Sequence, residues 1–253
     1  YLWMHDTDAG DMLTPERAEK ITGVMALSQW HVDHLTERYP FLGDKCFIVG
    51  NGINPERFTA TPERQTHRFV YLSSPDRGLV KALDLWPKIR EKLPEAELHI
   101  FYGWENYDKM RGSTDWKMEV MAKARQPGVV WRGRIGQDHL ASELLQSSVM
   151  LYPADPFNET FCIAALEAQA AGCVPVTRNN GALPETNARG ILLPNDASDE
   201  AWCTSAVKAT ETKDSRRQFL HEWAITQTWE LVAIRFLNHV RSHAPKDREP
   251  VTA

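Results

Sequence analysis

Residues 155–185 read DPFNETFCIAALEAQAAGCVPVTRNNGALPE and hold two carboxylates, Glu159 and Glu167, with seven residues between them. Apolar runs at Val149–Tyr152 and Val174–Thr177 predict strands on either side of a helix. This order aims the free N–H groups of the helix at the loop before it, where they favour phosphate. Two carboxylates beside a phosphate site indicate a sugar nucleotide, with the amides holding phosphates and the carboxylates holding hydroxyls.

The helix is predicted over Thr160–Ala171, with Thr160 as its cap. Its first free amides would then be those of Phe161, Cys162 and Ile163. Glu159 lies in the loop beside this opening, and Glu167 lies about two turns further on. On spacing alone we favour a plainer interpretation, in which Glu159 only complements the helix dipole and Glu167 is a solvated helix residue.

Apolar runs bounded by turn residues alternate with helical patterns along the chain. Such an alternation is typical of a parallel sheet covered by helices on both faces. The predicted fold class is therefore α/β, with a Rossmann-like doubly wound parallel sheet. The predicted strands are Tyr1–Met4, Gly23–Leu27, Cys46–Val49, Phe69–Leu72, Leu98–Phe101, Val129–Trp131, Val149–Tyr152, Val174–Thr177 and Ile191–Leu193. The predicted helices are Pro15–Ile21, Gln29–Glu37, Gly78–Lys92, Lys117–Arg125, Asp138–Gln146, Thr160–Ala171, Ser198–Glu211 and Ser215–Ser242, the last with a kink near Trp229.

A domain boundary is predicted within the polar, proline-containing segment 51–64. Residues 1–53 hold only three predicted strands, too few for an independent doubly wound domain. Residues 54–225 hold a complete α/β domain, and residues 226–253 hold a closing helix and a polar tail.

The composition limits the classes of partner. A net charge of −5 and a charged fraction of 25% give no basic surface for nucleic acid. No run of eighteen apolar residues and no signal peptide is present in the sequence. The four cysteines are scattered without a CxxC motif, which favours reduced thiols in a cytoplasmic protein. Local contact with the inner face of a membrane stays compatible with this charge.

The stretch 155–185 resembles the glutamate–seven residues–glutamate signature of retaining GT-B glycosyltransferases of family 4 (group 1). That family includes sucrose-phosphate synthases and bacterial mannosyltransferases. Residues 49–54, VGNGIN, resemble its interdomain segment, with Asn54 in place of the usual aspartate, and Trp229 resembles a tryptophan of its closing helix. Further residues in the family's order and spacing are Pro153, Phe161, Ala164, Ala168, Ala170, Gly172, Pro175, Val176, Gly181, Pro184 and Glu185.

The resemblance implies a GT-B C-terminal domain for residues 54–225 and the end of an acceptor-side N-terminal domain for residues 1–53. It implies transfer of a hexose from a UDP- or GDP-sugar to a hydroxyl of a glycan, lipid or small molecule, with retention of configuration. Glu159 would contact the donor sugar and Glu167 the ribose hydroxyls. The amides of residues 161–163 would hold sugar hydroxyls or the diphosphate.

Three further cations are candidates for the site. Arg77 lies in a loop between a strand and a helix and is placed to pair with a diphosphate, and Lys81 follows one turn later. The family usually carries an earlier arginine here, where this chain has Ser73 or Ser74. Arg134 lies in a turn that resembles the family's base-binding turn, although a solvated arginine is an equal interpretation.

His5 resembles the family's cleft histidine and is a candidate catalytic residue. No metal site and no cofactor are expected, because the histidines and cysteines lack zinc spacing and the Asp6-Thr7-Asp8 pair stands at the chain start. Arg77 would then stabilise the leaving diphosphate.

The chain begins with Tyr1-Leu2-Trp3-Met4, which is typical of the tip of an internal strand. Two alternatives follow for the activity. Either the chain is a fragment without transferase activity of its own, or it is a short sugar-nucleotide-binding module whose cleft an N-terminal domain or partner chain completes. A nucleotide-sugar epimerase fits less well, because the two glutamates and their neighbours form a transferase signature.

Overall fold

The computed structural model describes residues 1–112 and 114–243. Within them lie two parallel sheets, one of three strands and one of six. The strands are β1 Leu2–Trp3, β2 Val24–Ala26, β3 Cys46–Ile48, β4 Gln65–Tyr71, β5 Glu97–Ile100, β6 Val129–Trp131, β7 Ser147–Tyr152, β8 Val174–Arg178 and β9 Ile191–Leu193. The helices are α1 Pro15–Ala18, α2 Gln29–Arg38, α3 Leu79–Lys92, α4 Glu105–Arg111, α5 Asp115–Lys123, α6 Gln137–Leu145, α7 Ile163–Ala170, α8 Leu183–Thr186, α9 Asp199–Thr210, α10 Asp214–Ala224 and α11 Trp229–Ser242.

The small sheet has the order β1-β2-β3 and the large sheet the order β6-β5-β4-β7-β8-β9. Every strand pair in both sheets is parallel. The predicted α/β class with a doubly wound parallel sheet is confirmed, and each of the nine predicted strands is present. The central strands are continuous apolar runs because helices cover both faces of the sheet.

Each sheet has its own apolar core. Trp86 of α3 and Trp202 of α9 are fully buried in the core of the large sheet. Leu35 of α2 is buried in the smaller core around the three-stranded sheet. Helix α11 returns to the small sheet, where the ring of Phe47 stacks on that of His239 with centroids 3.4 Å apart.

The structure differs from the helix predictions at several points. The helix predicted over Ser215–Ser242 is divided into α10 and α11, because the backbone of Ile53 pairs with Gln227 and Thr228 in the gap between them. The Thr228 side chain then accepts from the Leu231 amide and caps α11. Helix α7 begins three residues later than predicted, α1 ends three residues earlier, and α4 and α8 were not predicted.

Candidate active site

The strand order of the large sheet reverses between β4 and β7. Ligands of doubly wound sheets bind outside the carboxyl ends of the strands at such a reversal. The loops at this point are residues 72–78 after β4 and residues 153–162 after β7. These loops carry Arg77 and Glu159, so the topology alone brings the two predicted groups together.

A cavity of about 270 Å³ lies between these loops and the small sheet. All strands within each sheet are parallel, and the loops that follow β1, β2, β3, β4 and β7 all reach it. A cavity of about 590 Å³ opens at the amino ends of β8 and β9, but none of the predicted site residues lines it. The 270 Å³ cavity is lined by His5, Leu27, Asn51, Leu72, Ser73, Arg77, Glu159, Thr160, Phe161, Cys162, Ile163 and Ala164, which include six of the nine predicted site residues.

Glu159 is a buried carboxylate, with 6% of its surface exposed. Its Oε1 accepts a hydrogen bond from the Tyr152 hydroxyl and lies 3.8 Å from Nη1 of Arg77. Burial raises the pKa of Glu159, and the Tyr152 hydrogen bond and the Arg77 charge oppose that rise. The side chain is therefore held in place by two neighbours while remaining able to accept from a ligand.

The backbone of Glu159 is held as tightly as its side chain. Its carbonyl accepts from the Ala182 amide at 2.7 Å. A Cβ on Gly181 would lie 2.4 Å from that same oxygen, so only glycine permits this approach. The turn before α8 thus fixes the position of the Glu159 backbone at the cavity.

The start of α7 differs from the prediction. Cys162 adopts a left-handed conformation, with φ of 74°, and is the residue before the first helical position, Ile163. Thr160 is therefore not the helix cap, and the Phe161 and Cys162 amides precede the helix. Among the described residues, the amides of Ile163 and Ala164 have no acceptor, which leaves two donors at the cavity wall.

A non-glycine residue at positive φ is strained, and such residues cluster at functional sites. Ala154, with φ of 51°, starts the same loop that Cys162 ends. Burial and the nearby Glu159 carboxylate raise the pKa of the Cys162 thiol well above its usual value. The thiol is therefore protonated at neutral pH and unsuited to act as a nucleophile.

Arg77 ends a short 3₁₀ turn, Pro75–Arg77, at the start of α3. Its guanidinium lies over the ring of Phe157, 4.0 Å from the centroid, and Arg77 lines the cavity. Gly78 follows with φ of 106°, and a Cβ there would lie 2.9 Å from two amides of the opposite loop. The glycine thus allows the two loops of the reversal to touch.

Hydrogen bonds connect the small sheet to the β7 loop. The Thr160 hydroxyl donates to the His5 carbonyl at 2.8 Å, and the Ser28 hydroxyl donates to the Thr160 carbonyl at 2.9 Å. The Glu185 carboxylate accepts from the first two amides of α2, those of Gln29 and Trp30. The backbone of His5 is thereby held beside Thr160, in the lining of the same cavity as Glu159.

Glu167 lies on the second turn of α7 and does not line the 270 Å³ cavity. Burial raises the pKa of Glu167 to about 7, and the positive charge of Arg57 opposes the rise. No described residue donates a hydrogen bond to this carboxylate. A half-buried carboxylate without a donor is suited to accept from the hydroxyls of a ligand.

The structure does not bring Lys81 or Arg134 into the cavity. Nζ of Lys81 pairs with Asp199 at 2.6 Å, and Asp199 is shared with Lys88. Arg134 is exposed, beside Gly103. Asp8 of the Asp6-Thr7-Asp8 pair accepts hydrogen bonds from Arg38 and Tyr39. Residues 1–112 and 114–243 contain no cluster of three or more His, Cys, Asp or Glu suited to a metal ion.

Two residues at the site were not predicted from the sequence. Tyr152 ends an apolar strand and is typical of a core residue, yet its hydroxyl holds Glu159. Asn51 belongs to the segment that resembles an interdomain motif and lines the cavity. The signal available for both was their position directly after or at the end of a parallel strand.

No described helix combines the length and apolar character that crossing a membrane requires.

The comparisons with known proteins identify the family of the chain. The family model described as "Glycosyl transferases group 1" matches residues 62–222, which include both loops of the reversal and both glutamates. D-inositol 3-phosphate glycosyltransferase of Streptomyces avermitilis is 27% identical over 212 residues, covering 70% of this chain and 43% of that protein. Phosphatidyl-myo-inositol mannosyltransferase of Mycobacterium tuberculosis is 26% identical over 194 residues, covering 72% of this chain and 47% of that protein.

Among solved structures, a TarM mutant of S. aureus in complex with UDP superposes with a TM-score of 0.69 and 15% identity. The match covers 93% of this chain and 49% of TarM, and shows that the GT-B fold is shared. The chain spans about half the length of the curated relatives it matches. Because the family model covers more than half of the chain, the protein belongs to the glycosyl transferases group 1 family.

Proposed function

We propose that the chain binds a nucleotide-diphosphate sugar in the 270 Å³ cavity and transfers its hexose to an acceptor hydroxyl with retention of configuration. The observation that carries this proposal is the juxtaposition of a buried carboxylate, a guanidinium and two free amides. Glu159, Arg77 and the amides of Ile163 and Ala164 supply these groups at the sheet reversal. Together they match a sugar joined to a diphosphate.

The donor would lie with its sugar inside the cavity and its nucleoside along α7. Glu159 accepts from vicinal hydroxyls of the sugar, and Glu167 accepts from the ribose hydroxyls. Arg77 and the start of α7 hold the diphosphate, because both present donors and positive potential there. The UDP complex of TarM supports a UDP-sugar as the donor, and a GDP-sugar is the alternative.

The transfer step breaks the bond between C1 of the hexose and the diphosphate oxygen, which keeps the electron pair. The acceptor oxygen bonds to C1 on the face that the diphosphate leaves, and its proton passes to the departing phosphate oxygen. Arg77 neutralises the charge that develops on the diphosphate. The proposed reaction needs no divalent metal and no cofactor, because the protein's own cation performs this role.

The acceptor would approach from the small sheet, where His5 faces the cavity. A glycan, a lipid or a small molecule with a free hydroxyl could fill this position, and an N-terminal domain or partner chain would complete the acceptor side. We place the protein in the cytoplasm, with peripheral contact at a membrane for a lipid acceptor. Its four cysteines are free thiols, which supports a reducing compartment.

Calorimetry with UDP-glucose, UDP-N-acetylglucosamine and GDP-mannose tests the proposal. Glu167→Ala should weaken the best of these ligands at least about tenfold, since a hydrogen bond to a charged group contributes about 1.5–3 kcal/mol. Glu119→Ala is the matched control, because Glu119 is exposed on α5. Equal affinities for the two variants would refute the ribose assignment. Absence of binding to all three ligands by the wild type would refute the proposed function.

Arg77→Ala should discriminate between ligands with and without a diphosphate. We expect UDP or GDP to bind at least about tenfold more weakly to this variant, while uridine or guanosine binds as to the wild type. Arg125→Ala, which removes an exposed arginine far from the cavity, is the control. A uniform loss for nucleoside and diphosphate would count against the proposed role of Arg77.

The alternative is a module that binds the nucleotide sugar without transferring the sugar. The chain spans about half the length of its relatives, so binding without transfer has to be distinguished from transfer. Release of free hexose from the nucleotide sugar, with water as acceptor, decides between them: a transferase gives turnover that depends on Glu159, and a binding module gives none.

A further inference from the structure

Asn51 is the one lining residue of the cavity that has an unpartnered buried side-chain atom, among the described residues. It follows β3, and only 6% of its surface is exposed. Its Oδ1 is buried and accepts no hydrogen bond. Buried polar side chains are nearly always paired, and an unpaired one lowers stability. The residue therefore needs an explanation that the protein alone does not give.

Another buried asparagine, Asn187, also has an unpartnered Oδ1, but its amide nitrogen is hydrogen-bonded within the protein. The Nδ2 atom of Asn187 donates to Thr177, to the Pro175 carbonyl and to the Ile191 carbonyl, so its amide holds the turn after α8 together. Asn51 makes no such side-chain contact, although it is almost as well buried. Its amide is therefore not a structural cross-link.

The backbone around Asn51 is fixed. The amides of Val49 and Gly50 both donate to the Ala26 carbonyl, and the Ile53 amide donates to the Gln227 carbonyl at 2.9 Å. The side chain is therefore presented to the cavity from a rigid segment on the small-sheet side. Glu159 and the start of α7 line the same cavity.

From these contacts we infer that Asn51 binds a hydroxyl of the transferred sugar. A sugar hydroxyl can donate a hydrogen bond to Oδ1, which is the end of the amide that lacks a partner. A phosphate oxygen at neutral pH has no proton to donate, and it would leave Oδ1 unpaired. The orphan acceptor thus selects a sugar hydroxyl over the diphosphate as its partner.

The size of the cavity supports the sugar as the ligand at this position. Sites that enclose a whole drug-sized ligand have volumes of roughly 300–1,000 Å³, whereas this cavity has about 270 Å³. It therefore encloses one part of a nucleotide sugar, and that part lies next to Glu159. Asn51 and Glu159 line the same cavity and would each hold hydroxyls of the sugar, which makes Asn51 a specificity residue for the sugar.

This inference rests on the proposed function, and its test isolates the contribution of the sugar. For each protein, calorimetry compares UDP with UDP-glucose and UDP-N-acetylglucosamine, and GDP with GDP-mannose. The gain from the sugar is the ratio of the Kd for the plain nucleotide to the Kd for the nucleotide sugar. We expect Asn51→Ala to lower this ratio at least about tenfold and to bind the plain nucleotide as the wild type does. Asn51→Ser keeps a hydrogen-bonding hydroxyl and should lose less. Asn238→Ala, an exposed change on α11, is the control.

A thermal melt separates a ligand-binding role from a structural one. Removal of an unpartnered buried amide should leave the melting temperature of Asn51→Ala equal to that of the wild type or higher. A lower melting temperature, or an unchanged gain from the sugar in both Asn51 variants, would overturn the inference while leaving the proposed function intact if nucleotides still bind. Failure of the wild type to bind any nucleotide sugar would overturn both.

Discussion

Glu159→Gln should reduce the release of hexose from the nucleotide sugar by about 100-fold or more, while the fold stays as stable as that of the wild type. The loss corresponds to about 2.7 kcal/mol, within the range of one charged hydrogen bond to the substrate. The glutamine is isosteric and its oxygen can still accept from the Tyr152 hydroxyl. It lacks the negative charge, so the contacts with vicinal hydroxyls and with Arg77 are weakened while the Tyr152 hydrogen bond is kept.

Stability should not fall in this variant, and the pKa of Glu159 gives the reason. Burial raises that pKa, so the ionised carboxylate is disfavoured in the folded state relative to the unfolded one. Stability from this group is full below its ordinary pKa and is lost as the pH rises through the raised value. A neutral amide avoids that loss at pH 7. Sugar binding should fall on acidification at a pH above the ordinary carboxyl value of 4.5.

Two comparison variants sharpen the test of Glu159. Tyr152→Phe keeps the carboxylate but removes its hydroxyl partner, so we expect a smaller loss of hexose release, about tenfold. Glu119→Gln changes an exposed glutamate on α5 and should have the wild-type rate. Hexose release by Glu159→Gln at the wild-type rate would remove Glu159 from the mechanism. Measurements with initial rates at several donor concentrations separate loss of binding from loss of turnover.

Much of the fold, and the meeting of Arg77 with Glu159, follow from sequence periodicity. Continuous apolar strands between helices require a parallel sheet, and parallel strands deliver their following loops to one edge. For this reason Arg77 and Glu159, which are 82 residues apart in the sequence numbering, meet across a 3.8 Å gap. His5 joins them because the small sheet presents its carboxyl ends to the same cavity.

The parts that the sequence did not reveal depend on contacts between distant segments or on unusual backbone angles. Cysteine carries no signal for a left-handed conformation, so the helix start at Ile163 could not be placed from the residue types. Lys81 follows Arg77 by one helical turn, which predicts that it reaches the diphosphate. It pairs instead with Asp199, which is 118 residues away in the sequence. The burial of Asn51 depends on the packing of the small sheet against the β7 loop, which no local pattern encodes.

Gly52→Ala should destabilise the protein by about 3 kcal/mol or more, because the added methyl group has no space. A Cβ at this position would lie 2.2 Å from the Trp229 amide nitrogen and 2.4 Å from the Thr228 carbonyl carbon. Both atoms belong to the backbone, so no side-chain rotation relieves the contact. Chemical denaturation followed by Trp fluorescence measures the change.

The position of Gly52 gives this clash a consequence for the site. The next residue, Ile53, donates to the Gln227 carbonyl, and Arg235 of α11 donates to the Val49 carbonyl at 3.2 Å. These bonds hold the start of α11 against the segment that carries Asn51. A displaced segment should therefore also weaken the gain in affinity that the sugar provides, while binding of the plain nucleotide, which rests on Arg77 and α7, changes less.

Gly136→Ala is the matched control for Gly52→Ala. A Cβ on Gly136 meets nothing within 4 Å, and its φ of −68° suits alanine, so we expect a change below about 1 kcal/mol. If both variants unfold at the wild-type denaturant concentration, the close approach of β3 and α11 at Gly52 is not required for the fold. If only Gly52→Ala unfolds at a lower denaturant concentration, the close approach of Gly52 to the start of α11 contributes to the stability of the fold.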